Sequence, residues 1–253
     1  MLLAALGVAG RLPSVEPGAA SQFGFVVPGT YRIGEVTVET GTTWLAVVPQ
    51  RGRGYLVEET TLRVEAVHDP DAVRGGEKTG LRLSAPSCFR TPLFMVGATE
   101  AVQAGFVDTA VWSPRDLLID TPMPITTNTN RHYALLVDCG GAPPAAAVEV
   151  IECPLVLYYE TSQQVLASFP IVVGPGQQPE FDDRARPLLV WAGDIDRDRG
   201  LDLMLDLGNS WSISTPTLFL SSSAAKDELV GEFGALETHA VPGPHYRRDP
   251  YRH

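Results

Sequence analysis

Short runs of alternating apolar and polar residues, each closed within a few positions by glycine or proline, leave this chain little to build except β-sheet. Ile33, Val36 and Val38 alternate with polar neighbours through YRIGEVTVET, and Trp44, Leu45, Val47 and Val48 fill TWLAVVP up to Pro49. Leu62, Val64 and Ala66 line one side of TLRVEAV, and Leu81 and Leu83 one side of GLRLSAP. A period of two is the signature of a half-buried strand. PLFMVGA, HYALLVDCG, AAVEVIECPLVLYY and QVLASFPIVV extend the series, with DPDAVRGGEKTG and CGGAPPAA as turns between strands. The 24 glycines and 21 prolines among 253 residues are what so many turns demand. No long helical stripe occurs. AAKDELVGEF at 224–233 is the best helix candidate, and SPRDLLID admits one turn, with Ser113 as cap and Pro114 at the first position. The expected fold class is therefore all-β, a β-sandwich-like body of antiparallel strands.

Four segments are expected. Residues 1–20 open on the apolar MLLAALGVAG, followed by Arg11 and Pro13. They read either as the remnant of an export signal or as an N-terminal arm, since a basic leading region is absent. Residues 21–172 form the β-rich body. Residues 173–240 form a further β unit, entered through VGPGQQPEFDDRARP, which serves as a linker or as a long surface loop of the same domain. Residues 241–253 are a basic, aromatic tail. Its last nine residues carry three arginines against one aspartate, a net of +2, on a chain whose total is −11. So acidic a body lacks the basic surface that a nucleic-acid binder needs to displace counterions. No run of about 18 apolar residues spans a membrane as a helix. The tail, with Tyr246 and Tyr251 among its arginines, suits self-association or docking to a protein partner. Of three cysteines, Cys139 and Cys153 are the pair nearer in sequence, and bridging them would leave Cys88 as the odd thiol. One bridge or three thiols both fit that count.

Against this sparsely charged background, AGDIDRDRGLDLMLDLG at 192–208 concentrates carboxylates. Counting from Asp194 as position 1, Asp196 is position 3, Asp198 position 5, Gly200 position 7 and Asp202 position 9. Hard cations such as Ca²⁺ take six to eight oxygens, which alternate carboxylates in a tight loop can supply. Asp194, Asp196, Asp198 and Asp202 are the candidate carboxylate ligands, and Gly200 offers a backbone carbonyl. PLLVWAG before the loop and LDLMLDLG after it read as strands, with Leu201, Leu203 and Leu205 on one face. Position 12 is Leu205, so this is not an EF-hand, which needs Glu there. The competing reading is a metal-free loop in which Arg197 and Arg199 pair with the aspartates.

WAGDIDRDRGLDLMLDLG, followed by STPTLFLSSSA, resembles the calcium loops of FG-GAP and VCBS-type repeats, at the C-terminus of some uncharacterised bacterial proteins. The likeness covers residues 187–225. It implies a C-terminal strand–calcium loop–strand unit in an extracellular β-protein of adhesive or integrin-like kind. Three features depart from the pattern: a single loop rather than a series, Arg197 at position 4 and Arg199 at position 6, where the turn favours glycine. A non-glycine residue in a left-handed conformation costs roughly 1 kcal/mol, unless the turn shifts.

No nucleophile elbow, P-loop, dinucleotide fingerprint or Cys-x-x-Cys accompanies the loop. His68, His132, His239, His245 and His253 form no metal pair at helical spacing. The expected function is thus that of a non-enzymatic, exported bacterial β-protein, extracellular or periplasmic. Its Ca²⁺ loop would serve a structural, adhesive or assembly role. The alternatives are a Ca²⁺-assisted carbohydrate-binding module, with Trp191 or Trp211 beside the loop as a sugar platform, and a hydrolase whose site is not marked.

Overall fold

The computed structural model describes residues 24–50, 54–68, 79–97, 99–113, 117–141, 147–182, 186–208 and 213–238. The expected N-terminal arm at 1–20 and the tail at 241–253 lie outside the described residues. Among the described residues eighteen strands follow one another. They are β1 (Phe25–Val26), β2 (Gly29–Arg32), β3 (Thr43–Gln50), β4 (Gly54–Thr61), β5 (Arg63–Val67) and β6 (Gly80–Ser84). Next come β7 (Phe94–Gly97), β8 (Gly105–Thr109), β9 (Val111–Trp112), β10 (Met123–Thr126), β11 (His132–Val137) and β12 (Glu149–Tyr159). The last are β13 (Ser162–Val173), β14 (Glu180–Phe181), β15 (Leu188–Asp194), β16 (Asp202–Asp206), β17 (Pro216–Leu220) and β18 (Gly231–Ala235). The all-β, antiparallel expectation holds: among the described residues there is no α-helix, and a short 3₁₀ turn spans Ser221–Ser223.

Nine strands make one sheet in the order β1-β7-β3-β4-β8-β15-β16-β17-β18. It curls until its edges nearly meet, giving a barrel-like form. A Cβ on Gly24, beside β1, would lie 2.7 Å from Phe233 Cε1 of β18, so the two edges approach closely there. Strands β15 to β18 thus belong to the same sheet as β3, β4 and β8 of the body, joined where Gly193 and Asp194 pair with Thr109 and Asp108. A six-stranded sheet, β14-β13-β12-β11-β10-β9, and a three-stranded one, β2-β6-β5, complete the fold.

Two apolar cores result, and β15–β17 divide them. Val190, Trp191, Met204, Leu218 and Leu220 join Phe25, Val47 and Phe94 in the first core, onto which Tyr31 and Leu83 of the small sheet also pack. Leu189, Ala192, Leu203, Leu205 and Phe219 point the other way, into a second core with Leu135, Leu155 and Phe169 of the six-stranded sheet. Burial on both faces explains why PLLVWAG, LMLDL and PTLFL are nearly continuous apolar runs, where one-sided strands would alternate with polar residues. A register shift between Leu189 and Trp191 lets the neighbours Val190 and Trp191 both face the first core.

Several local expectations are corrected. Residues 224–233 are not helical: Asp227 sits at φ 72°, and the chain enters β18 at Gly231. Gln164 of β13 overrides the weak local helix preference, accepting from the backbone N–H groups of Leu229 and Val230 at 2.7 and 3.0 Å while Val230 is fully buried. In SPRDLLID, residues 114–116 lie outside the described residues, and Leu118 and Ile119 form β-bridges. Strand β3 does not stop at Pro49 but runs on to Gln50, Pro49 pairing with Tyr55. Cys139 and Cys153 form a disulfide joining the end of β11 to β12, and Cys88 is free. Burial pushes the Cys88 thiol up to about 11, so it stays protonated at neutral pH.

Double burial of β16 carries a direct test. Leu203→Ala and Met204→Ala empty opposite faces of the same strand. Each should cost about 2–5 kcal/mol, read as a fall in the urea midpoint. A strand covered on one side only would lose stability from just one of the two.

Candidate metal centre

The loop joining β15 to β16 starts and ends inside the protein. Antiparallel pairing sets Gly193 opposite Asp202. Asp194 is 8% exposed and Asp202 is fully buried. Asp194, Asp196 and Asp202 each bring one carboxylate oxygen to a common place, all within 4.8 Å of one another. Oxygens about 2.4 Å from one Ca²⁺ lie at most about 4.8 Å apart, so the cluster has the span that a single ion can bridge.

Backbone donors hold the loop from within. Asp194 Oδ2 accepts from the Arg199 N–H at 3.0 Å, Asp196 Oδ1 from the Asp198 N–H at 3.3 Å and Asp198 Oδ1 from the Gly200 N–H at 2.6 Å. Asp202 Oδ2 accepts from the Ile195 N–H at 2.6 Å and Oδ1 from the Ser221 N–H at 2.8 Å. These bonds keep Arg197 and Arg199 in the left-handed region, at φ 65° and 70°. The turn therefore does not shift to avoid its non-glycine residues; side-chain caps on both sides hold a conformation that costs roughly 1–2 kcal/mol per residue.

The arginines do not neutralise the cluster. Arg197 turns away, its Nη2 donating to the Ala104 carbonyl at 2.9 Å, in space left by the absent side chain of Gly105. Arg199 reaches Asp194 through its backbone N–H. Among the described residues no ion pair joins either arginine to the aspartates. Two carboxylate oxygens, Asp194 Oδ1 and Asp196 Oδ2, are buried with no hydrogen-bond partner. An unpartnered buried polar atom is costly; one on a carboxylate that faces others of its kind is more so, and a cation removes both penalties. The donor set, all hard oxygen, fits Ca²⁺.

Of the five residues expected at the site, Asp194, Asp196 and Asp202 converge. Asp198 turns its Oδ1 to Gly200 and to the Ser221 hydroxyl, 2.7 Å away. At Gly200, expected to offer a carbonyl, the missing side chain also gives room: a Cβ there would lie 2.1 Å from Ser221 Oγ. Ser221 escaped the sequence reading because it lies 19 residues beyond Asp202. The signal was the strand PTLFL: pairing Leu203 with Phe219 carries the chain on to Ser221 beside the loop. The sugar-platform expectation fails for Trp191, which is fully buried in the first core, edge-on to Phe94 at 5.9 Å and Tyr55 at 6.3 Å. Trp211 lies outside the described residues. Comparisons with protein-family models, curated proteins and solved structures return no match to the chain.

Burial pushes the Asp202 carboxyl up to about 8, helped by the charge of Asp196 and opposed by its bonds from Ser221 and Ile195. Asp194 is also raised by burial and by Asp196 and Asp198, against the Arg199 N–H. A carboxyl raised on folding favours the folded state fully below its unfolded value of about 4, and that contribution is lost as pH rises through the folded value. In chelator, stability should therefore decline between about pH 4 and pH 8. Urea unfolding of Asp202→Asn over the same range should give a flatter profile, whatever its absolute stability. Identical slopes in the two proteins would contradict the assignment.

Proposed function

We propose that this is a non-enzymatic, exported β-protein whose β15–β16 loop is braced by one bound Ca²⁺, and whose work is structural, adhesive or in assembly. The observation that carries the metal reading is the pair of buried, unpartnered oxygens, Asp194 Oδ1 and Asp196 Oδ2, within a three-carboxylate cluster. Four aspartates and two arginines leave the loop with a charge of −2, which one divalent cation balances. A bracing role follows from position. Asp194 ends β15, Asp202 begins β16, and the loop's bonds run on to Ser221 after β17 and to Ala104 before β8. An ion there ties together the ends of the strands that separate the two cores. Export is supported by the Cys139–Cys153 bridge, since disulfides persist in oxidising compartments outside the cytosol.

An ion that binds only the folded state raises stability by mass action. With an affinity on the order of 0.1 mM, typical of extracellular modules, 10 mM Ca²⁺ adds about 2.7 kcal/mol, or roughly 5–10 °C in a chain of this size. Asp196→Asn keeps the Oδ1 acceptor but removes the charge. It should lose most of that shift while melting in chelator no lower than the native protein. A native melting midpoint unchanged between chelator and 10 mM Ca²⁺ would refute the proposal.

A further inference from the structure

The Ser221 hydroxyl occupies an unusual place. Its oxygen lies 2.7 Å from Asp198 Oδ1 and 3.1 Å from Asp202 Oδ1, while the same residue's backbone N–H donates to Asp202 Oδ1 at 2.8 Å. One side chain thus spans two loop carboxylates. Gly200 is shaped to admit it. Its φ is not left-handed, so the backbone does not demand glycine there. What demands it is contact, since a Cβ would lie 2.1 Å from Ser221 Oγ and 2.3 Å from its Cβ. Gly200 and Ser221, remote in sequence, fit each other.

We propose that Ser221 is a positioning residue of the metal centre, fixing Asp202 in its ligating orientation and holding Asp198 to one side of the three converging carboxylates. A hydroxyl has one proton, so it donates to one carboxylate at a time, and the shorter contact marks Asp198 as its acceptor. Asp198 is thereby fixed, its Oδ1 shared between the Gly200 N–H and the serine hydroxyl, and the loop that presents Asp194, Asp196 and Asp202 is held rigid, a rigidity on which Ca²⁺ affinity depends. Asp202, held by N–H groups from Ile195 and Ser221, keeps its plane fixed relative to Asp194 and Asp196. Partners of this kind, which orient ligands without touching the metal, typically contribute 10–100-fold in affinity.

This inference rests on the metal reading above, and terbium titration of the intact chain separates the two. Tb³⁺ serves as a luminescent probe, followed by displacement with Ca²⁺. Ser221→Ala should weaken Ca²⁺ binding about tenfold, with a chelator melting curve like that of the native protein. In an Asp198→Asn background the same substitution should cost distinctly less, because much of the work of Ser221 passes through Asp198. A merely structural serine would lower the melting curve in chelator and leave affinity alone. Native protein that binds while Ser221→Ala binds within twofold overturns the role of Ser221 alone. Native protein that takes up no Tb³⁺ or Ca²⁺ overturns the metal reading, and this inference with it.

Discussion

Strands β15, β16 and β17 are buried on both faces, and that constraint governs the rest of the molecule. A sheet with one wet face can send its polar residues outward, but these strands have no outward side. Met204 lies in one core and its neighbours Leu203 and Leu205 in the other. Polar groups are therefore pushed to the strand ends. There Asp194 and Asp202 remain buried. Carboxylates so placed need donors or a cation. The loop and Ser221 supply donors to both oxygens of Asp202 and to one of Asp194, and leave Asp194 Oδ1 and Asp196 Oδ2 without any.

The same constraint accounts for the strain between the two carboxylates. Arg197, between Asp196 and Asp198, and Arg199, between Asp198 and Gly200, adopt left-handed backbone where aspartate side chains cap the N–H groups of Asp198, Arg199 and Gly200. Turning Arg197 and Arg199 outward leaves Asp194 and Asp196 to converge with Asp202. It also frees the Arg197 guanidinium to cross to the carbonyls of Gln103 and Ala104, some 93 residues away in sequence. The loop is held by distant parts of the chain as well as by its own bonds, so its geometry does not depend on arginine–aspartate pairing.

Much of this was legible in the sequence, and the exceptions share a cause. The long hairpin of β12 and β13 and the apolar runs of β15, β16 and β17 announced themselves by period and composition, as did the position of the aspartate loop between two strands. What escaped depends on contacts far apart in the chain. Residues 224–233 have local helix character, but Gln164 and the seat of Val230 hold them extended. Strand β4 carries Tyr55, Leu56 and Val57 in a row and then Glu58 and Glu59, a pattern without clear alternation. Trp191 beside the acidic loop read as core packing or as a sugar platform, and the register shift at Leu189 turns it into the first core. Ser221 joins the site only because β17 pairs with β16, and Gly200 reads as a turn glycine until the serine it accommodates is seen.

Whether a cation completes the carboxylate cluster is read from a high-resolution diffraction map of crystals grown in calcium, with anomalous scattering recorded. An anomalous peak is expected about 2.3–2.6 Å from oxygens of Asp194, Asp196 and Asp202, with Asp198 still bonded to Ser221. A map in which a water molecule or an arginine guanidinium fills that position, with no anomalous peak at saturating calcium, would contradict it.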